Sequence, residues 1–418
     1  MTKMDRPRGK TKPKTGGGQR RSAEIWEGEV ERLSWGGFGI SRLGDGRILL
    51  LEAPKAIFPG EVVRASIRQK AKHAEGEVVS WLRPSELRAA PTCGVAGECG
   101  GCDLQESGES HAELKRLMVE DLFRRQLPGL PFEWMPAPGG ALRHRIQLHW
   151  DGKSMGFHRR RSHSVVPVQT CPAALPPLSA AIPRLMDAIA ARLLPTRPQR
   201  WELATGTPPK EVFAIDDSRR TWLLEPDGWK KTDNPITHSI PGMELTQAPG
   251  GFFQVSSAWA IDVFAALFDK WGLGGDTLFD LYGGVGLFSA MLRDRFKASV
   301  LVEADMEAVA HAGRNLGKTG LKHECVESDV AAWLREGFCS ANNVVLLDPP
   351  RAGLPPEVVQ CLQTSNAAAL VLIGCDGATF CRDVKALGQT WKVEKLAVID
   401  LFPMTVHVEC VAMMKRRL

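Results

Sequence analysis

A chain of 418 residues, 44% apolar and 24% charged with a net charge of +5, has the make-up of an ordinary folded protein with two or three domains. No apolar run approaches the roughly 18 residues that crossing a bilayer requires. The basic opening MTKMDRPRGKTKPKTGGGQRR lacks the apolar stretch of a secretory signal, so a cytoplasmic protein without a membrane partner is expected. In that compartment ten cysteines point to metal ligation, catalysis or packing rather than to disulfides.

Residues 1–24 concentrate Lys and Arg among Gly, Pro and Thr. They cannot bury apolar surface, which predicts a disordered basic tail suited to phosphates. Residues 25–83 read as a small β-barrel of the OB type. The runs IWEGEVERLSW, GFGISRLGDGRILLLE, GEVVRASIRQK and AEGEVVSWL alternate in polarity between Gly-rich turns, with Gly44–Gly46 where a hairpin turn would fall. Arg32, Arg42, Arg47, Arg64, Arg68, Lys70 and Lys72 incline this unit toward single-stranded RNA.

Residues 84–245 are less regular. They hold a group of cysteines, the basic run HRRRSH (His158–His163) and the proline-rich CPAALPPLSAAIP. A central α+β domain with functional loops is predicted, with the basic run contacting phosphates. From 246 to 418 strands and helices alternate: TLFDLYGGVGLFS, ASVLVEAD, NVVLLDPPR and AAALVLIGCDG each read as a buried strand with its turn. WKVEKLAVID and VHVECVAMMK then form an antiparallel closing pair. This rhythm predicts a multidomain α/β protein whose last domain is a Rossmann-like, mainly parallel sheet binding ligands at the carboxyl ends of its strands.

Gly284 and Gly286 follow a strand directly, where a backbone can approach a ligand with helix N–H groups behind it. Glu303 ends the next strand, where a carboxylate would accept both hydroxyls of a ribose. The third glycine of the dinucleotide fingerprint is missing, which favours a mononucleoside cofactor such as S-adenosylmethionine over NAD. Asp348, in LDPPR, ends a strand on the same edge, and Cys375 ends the next one.

A thiolate that adds to C6 of a uracil turns C5 into a nucleophile toward a methyl sulfonium, after which the C5 proton must leave before the thiolate is expelled. That chemistry needs a cysteine and a base on one face of a flipped-out nucleobase. Glu409, an acid inside an apolar strand, is the candidate base. Separately, Cys93, Cys99, Cys102 and the distant Cys171 can supply four thiolates to zinc or to an iron–sulfur cluster. Cys325, Cys339, Cys361, Cys381 and Cys410 show no partner pattern and read as packing or surface thiols.

With GFFQVSS, DLYGGVGLFS, VEAD, LDPPRAGL, GCDGATFCRD and DLFPMTVHVE in this order, the chain resembles the S-adenosylmethionine-dependent RNA uracil-C5 (5-methyluridine) methyltransferases over nearly everything after the basic tail. The resemblance implies an N-terminal TRAM barrel, a [4Fe-4S] cluster on Cys93, Cys99, Cys102 and Cys171, Cys375 as nucleophile and Glu409 as base. It also implies that Gln254, Tyr282, Glu303, Asp329 and Asp348 bind the cofactor or line its pocket. Having both barrel and cysteine loop resembles the 23S rRNA enzymes more than the tRNA enzymes, so a monomer acting on 23S rRNA is expected.

The chain departs from the family pattern at Gly374, Asp376 and Gly377 around the nucleophile, and at Ser256, Gly283 and Met404. A carboxylate beside the nucleophile would hold its thiol protonated unless Asp376 points away or Arg351 or Arg382 offsets it. Three rival readings follow. One is an RNA-binding assembly factor that methylates weakly or not at all. The others are a tRNA uracil-C5 enzyme and a cytosine-C5 enzyme, although the latter would carry a cysteine where Asp348 stands.

Overall fold

The computed structural model describes residues 24–140, 142–254, 256–336 and 342–417. The basic tail up to residue 23, and Cys339, lie outside the described residues.

Alternation of buried and exposed side chains builds the first unit. Along Ile48–Glu52, Leu49 and Leu51 turn inward and their neighbours outward. The sheet runs in the order Glu24–Glu29, Val62–Gln69, Ala74–Arg83, Ile48–Glu52, Gly39–Arg42, Arg32–Leu33. Its first and last members are successive parts of one bent strand. Val30 N–H donates to Glu61 O and Glu31 N–H to Ile40 O, so the ladder curls back on itself around Val30, Leu51, Phe58 and Val63.

The second unit is a seven-stranded antiparallel sheet from Arg145–Trp150 to Gly228–Lys231. The apolar face of helix Pro176–Ala190 packs Leu178, Ile182 and Leu185 against Leu203 and the fully buried Trp201.

The third unit carries the doubly wound sheet, ordered Lys322–Glu327, Phe296–Glu303, Gly275–Leu281, Val344–Leu347, Ala369–Gly374, Glu409–Arg416, Trp391–Ile399, Glu133–Met135. The first five strands pair in parallel, and Glu409–Arg416 inserts antiparallel between its neighbours. Val344–Leu347 is apolar throughout because both of its faces are covered. Val345 and Leu347 enter one core with Leu281 and Leu372, whereas Val344 and Leu346 enter the opposite core with Leu278 and Val371.

The segment 84–245 is shared among packing units. Helix His111–Gln126 sends Val119, Leu122 and Phe123 into the core of the third unit, and Glu133–Met135 extends its sheet beside Trp391–Ile399. The hairpin of Ile236–Ile240 and Met243–Gln247 packs on helix Met306–Leu316, where Asn315 Nδ2 donates to Thr246 O at 3.0 Å. Local periodicity reveals a strand but not which distant sheet it joins.

One buried ion pair ties helix His111–Gln126 to the loop after Trp391–Ile399. Lys115 and Asp400 are both fully buried, and Lys115 Nζ also donates to Phe402 O at 2.9 Å. Burial lowers the Lys115 pKa and Asp400 opposes that shift. Lys115→Met strands the Asp400 carboxylate in the interior and should cost about 3–5 kcal/mol, read as a lowered urea midpoint.

Candidate active site

At the carboxyl edge of the parallel strands lies a cleft of about 570 Å³. Its cofactor-side wall is the turn after Gly275–Leu281. Tyr282, Gly284 and Gly286 all take positive φ there (62°, 54° and 86°), an unusual conformation for a tyrosine. Beneath the turn, Asp280 accepts from the Ser289 N–H and hydroxyl at 3.0 and 2.7 Å, fixing the start of helix Leu287–Met291. Gly283 is suited to its place, since a Cβ there would sit 2.6 Å from Leu301. Glu303 lies opposite. Its carboxylate accepts from the backbone N–H groups of Gly284, Ala304 and Asp305 at 3.1, 2.7 and 2.9 Å.

The far wall is made by three neighbouring strand ends. Asp348 follows Val344–Leu347 and accepts from Gln254 Nε2 at 3.2 Å. Cys375 follows Ala369–Gly374, and Glu409 begins the antiparallel strand between Ala369–Gly374 and Trp391–Ile399. All three line the cleft, as do Gln254, Tyr282 and Glu303.

Asp329 stands apart. It accepts from Ala332 N–H at 3.0 Å as the N-cap of helix Val330–Arg335 and does not line the cleft. The short ESDV match could not distinguish a helix cap from a ligand contact. Phe252, 64% exposed at the rim, and Phe402 also line the cleft. Both sit inside the motifs GFFQ and DLFP, but an aromatic residue in an apolar run carries no signal of its own.

Low local polarity sets the charge state. Burial, followed by the neighbouring Glu409 carboxyl, pushes the Cys375 thiol up to about 11, and Arg351 opposes this partly through a hydrogen bond to the thiol. Burial and then Asp348 hold Glu409 well above the usual carboxylate range, again against Arg351. Burial and then Asp280 raise Asp348 to about 7.

Asp376 acts elsewhere. Its Oδ1 caps helix Gly377–Leu387 by accepting from Thr379 N–H at 2.8 Å, and its Oδ2 accepts from Trp35 Nε1 at 3.5 Å. Burial raises its pKa, but the Thr379 hydrogen bonds outweigh this and leave it below the usual value. Arg382 bonds Asp383 and Ala352 O, so Arg351 is the guanidinium that acts on the thiol.

Cys93, Cys99, Cys102 and Cys171 line one small cavity of about 30 Å³ together with Val95, Phe157 and Val168. Gly101 N–H donates to Cys99 Sγ at 3.3 Å. Burial raises Cys102 to about 11, with Arg143 opposing. Among the described residues, no group of three or more His, Cys, Asp or Glu is disposed to hold a metal ion.

The basic run is engaged within the protein: Arg159 pairs with Glu98, Arg160 with Asp103 and Arg161 with Glu52. The three arginines thereby join the central sheet to the cysteine loop and the first unit, and Arg159 and Arg161 stay about half exposed within these pairs. Acids that lie far off in sequence supply the partners, so the run alone could not reveal them.

A parallel sheet finished by an inserted antiparallel strand, with a glycine turn and a strand-end acid facing a thiol, defines a methyltransferase that uses a nucleoside cofactor. Residues 338–417 match the model of the tRNA (Uracil-5-)-methyltransferase family. The chain is 29% identical over 431 residues to the 23S rRNA (uracil(1939)-C(5))-methyltransferase RlmD of Vibrio cholerae, covering 93% of this chain and 95% of the relative. It is 31% identical over 440 residues to an uncharacterized RNA methyltransferase of Streptomyces avermitilis, covering 94% and 98%. The crystal structure of Pyrococcus abyssi tRNA (uracil-54, C5)-methyltransferase with S-adenosyl-L-homocysteine shares the fold, with a TM-score of 0.73 at 24% identity over 93% of this chain and 100% of that one. The chain belongs to the S-adenosylmethionine-dependent RNA uracil-C5 methyltransferase family.

The raised thiol has a direct readout. Alkylation of Cys375 by iodoacetamide, followed by peptide mass spectrometry, should keep accelerating from pH 8 toward about 11 rather than level off near 8.5. Arg351→Met removes the opposing cation, so its profile should move to still higher pH.

Proposed function

We propose that this enzyme forms 5-methyluridine in 23S rRNA, with Cys375 as nucleophile and Glu409 as base. The observation that carries the reading is the meeting of Asp348, Cys375 and Glu409 in one cleft with the strand-end acid Glu303. S-adenosylmethionine, when bound, supplies a methyl group on an electrophilic sulfonium.

The residues at hand fit that cofactor. Glu303 is oriented by three N–H groups toward a ribose diol beside the glycine turn. Gln254 and Asp348 form a hydrogen-bonded pair on the far side, and Tyr282, in the turn, also lines the cleft. Asp348 and Glu409 face the positive charge that the cofactor brings, and both carboxyls ionise more readily beside it. Asp329 is assigned the lesser task of capping its helix behind that wall.

In the reaction, the Cys375 thiolate bonds to C6 of the flipped-out uracil and the electron pair of the 5,6 double bond moves toward O4. C5 then takes the methyl group as the methyl–sulfur bond breaks, and its electron pair stays on sulfur so that S-adenosylhomocysteine leaves as a neutral thioether. Glu409 accepts the C5 proton, the double bond re-forms and the C6–S bond breaks, returning the thiolate. Arg351 holds negative charge at the sulfur before attack and after release.

Full-length similarity to relatives named as 23S rRNA enzymes favours that substrate over tRNA. The self-closing first unit, read as a TRAM barrel, and the central domain would grip the RNA. The four cysteines that share one cavity are read, from their spacing in the sequence, as the residues that would hold a [4Fe-4S] cluster. Gly101 N–H and Arg143 are placed to stabilise two of those thiolates. A cytoplasmic monomer fits this task.

Four measurements test the reading. Nucleoside mass spectrometry of 23S rRNA and tRNA, from cells with and without the gene, should show 5-methyluridine lost from 23S rRNA, and loss from tRNA alone would reassign the substrate. Cys375→Ala should abolish methylation, whereas Glu409→Gln should accumulate a covalent complex with ordinary RNA because release awaits proton removal. Wild-type protein that binds 5-fluorouridine RNA and cofactor without forming an adduct would favour the inactive assembly factor instead. Anaerobically purified protein should be brown and carry about four iron and four sulfide, and stoichiometric zinc in their place would overturn the cluster.

A further inference from the structure

The turn between Arg32–Leu33 and Gly39–Arg42 of the first unit reaches the walls of the catalytic cleft. Gly36 and Gly37 take positive φ (89° and 76°), and Ser34 N–H and Gly37 N–H close the turn onto Phe38 O and Ser34 O. This tight bend presses Trp35 against the residues that follow the nucleophile. Its Nε1 donates to Asp376 at 3.5 Å, and its ring lies so close to Gly377 that a Cβ there would meet Cζ2 and Cη2 at 3.0 Å. Trp35 also packs on the third unit's core beside Leu122 and Phe380. On its other side, a Cβ at Gly37 would meet Val406 Cγ1 at 3.0 Å. Val406 belongs to the loop leading into Glu409, and its side chain is buried in the barrel's own core. The same loop is gripped from behind, where Asp103 and Leu104 N–H groups both donate to Met404 O at 2.8 and 2.9 Å.

We propose that the barrel turn Trp35–Gly37 is a positioning element for methyl transfer, holding the segment after Cys375 and the segment before Glu409 at their working separation. Cys375 and Glu409 lie on opposite sides of one strand pairing; Cys375 is followed by the start of helix Gly377–Leu387 and Glu409 is preceded by loop, and the sheet ladder holds neither. A single turn that touches both the helix start and the loop restricts their relative movement. Trp35 touches neither substrate nor cofactor cleft and acts through Asp376 and Gly377, so it is a positioning residue. Misplacing reacting groups by about 1 Å lowers rates by about a hundredfold, which makes such a brace consequential. The inference rests on the assignment of Cys375 and Glu409, and it gives the barrel a part in the chemical step in addition to any part in holding RNA.

The test uses full-length enzyme, with substrate RNA for kcat and KM and 5-fluorouridine RNA for adduct formation at saturating RNA and cofactor. Trp35→Ala should lower kcat and the saturated adduct rate by about tenfold or more, with the RNA KM within about twofold of wild type. It should also change the alkylation rate of Cys375 in RNA-free protein. Trp35→Phe, which keeps ring packing and loses the N–H donor, should fall between. If Trp35→Ala does not fold, Gly377→Ala carries the test: it should slow adduct formation in the wild-type background and do so less beside Trp35→Phe, which lacks the Cζ2 and Cη2 atoms that the added Cβ would meet. A raised RNA KM with unchanged kcat and adduct rate would overturn the proposal, as would no change in any of these quantities. Wild-type adduct formation tests Cys375 itself, and variant rates are read as ratios to it, so failure of the brace leaves the nucleophile assignment standing.

Discussion

The catalytic cleft depends on one register. Glu409–Arg416 pairs antiparallel with Ala369–Gly374 so that Gly374 faces Cys410, while on its other edge Glu409 faces Ile399. Side chains alternate along a strand, so a slip of one residue would send Glu409 into the core behind the sheet and bring Cys410 forward. The parallel neighbours impose the complementary condition: Leu347 lies opposite Leu372, which delivers Asp348 and Cys375 to the same edge. Neither register is specified at the cleft. Both are set by the apolar faces of Val345, Leu347, Leu370 and Leu372 in the interior, which accept no other alignment.

That arrangement concentrates acids in a place of low polarity. Asp280, Asp348 and Glu409 act on one another, and burial raises all three. In the ligand-free cleft these shifts favour the protonated forms of Cys375 and Glu409, while the Arg351 guanidinium opposes both. Under the proposed function, a bound sulfonium would add to the opposition that Arg351 already offers.

Much of this was legible in the sequence because several of the residues concerned end predicted strands. Tyr282, Glu303, Asp348 and Cys375 follow or end strands of the parallel sheet, and a doubly wound sheet collects such positions along one edge, whereas Gln254 precedes helix Ser257–Trp271 and Glu409 opens the antiparallel strand. What sequence could not supply depends on partners brought from far away. Asp376 looked threatening beside the thiol, yet capping its own helix and meeting Trp35 turns it away. HRRRSH showed its charge but not that Glu52, Glu98 and Asp103 pair with its arginines. Asp329 showed only that an acid precedes a helix, which describes a cap as well as a ligand. The segment 84–245 showed its strands and helices but not the sheets and cores that would receive them.

The strand Glu133–Met135 gives the molecule an unusual order of assembly. It covers the edge of a sheet whose adjoining strand, Trp391–Ile399, is synthesised long after it. Helix His111–Gln126 likewise waits for Phe380 and Leu387 before its apolar side is covered, and Lys115 waits for Asp400. The middle of the chain thus emerges with sticky surfaces that only the distant end can satisfy. A pairing so remote in sequence is slow to form, and during that interval the nascent protein presents a bare helix face to its surroundings. Production of this enzyme should therefore be most vulnerable in the interval between synthesis of Glu133–Met135 and of Trp391–Ile399, while the central segment stands unprotected.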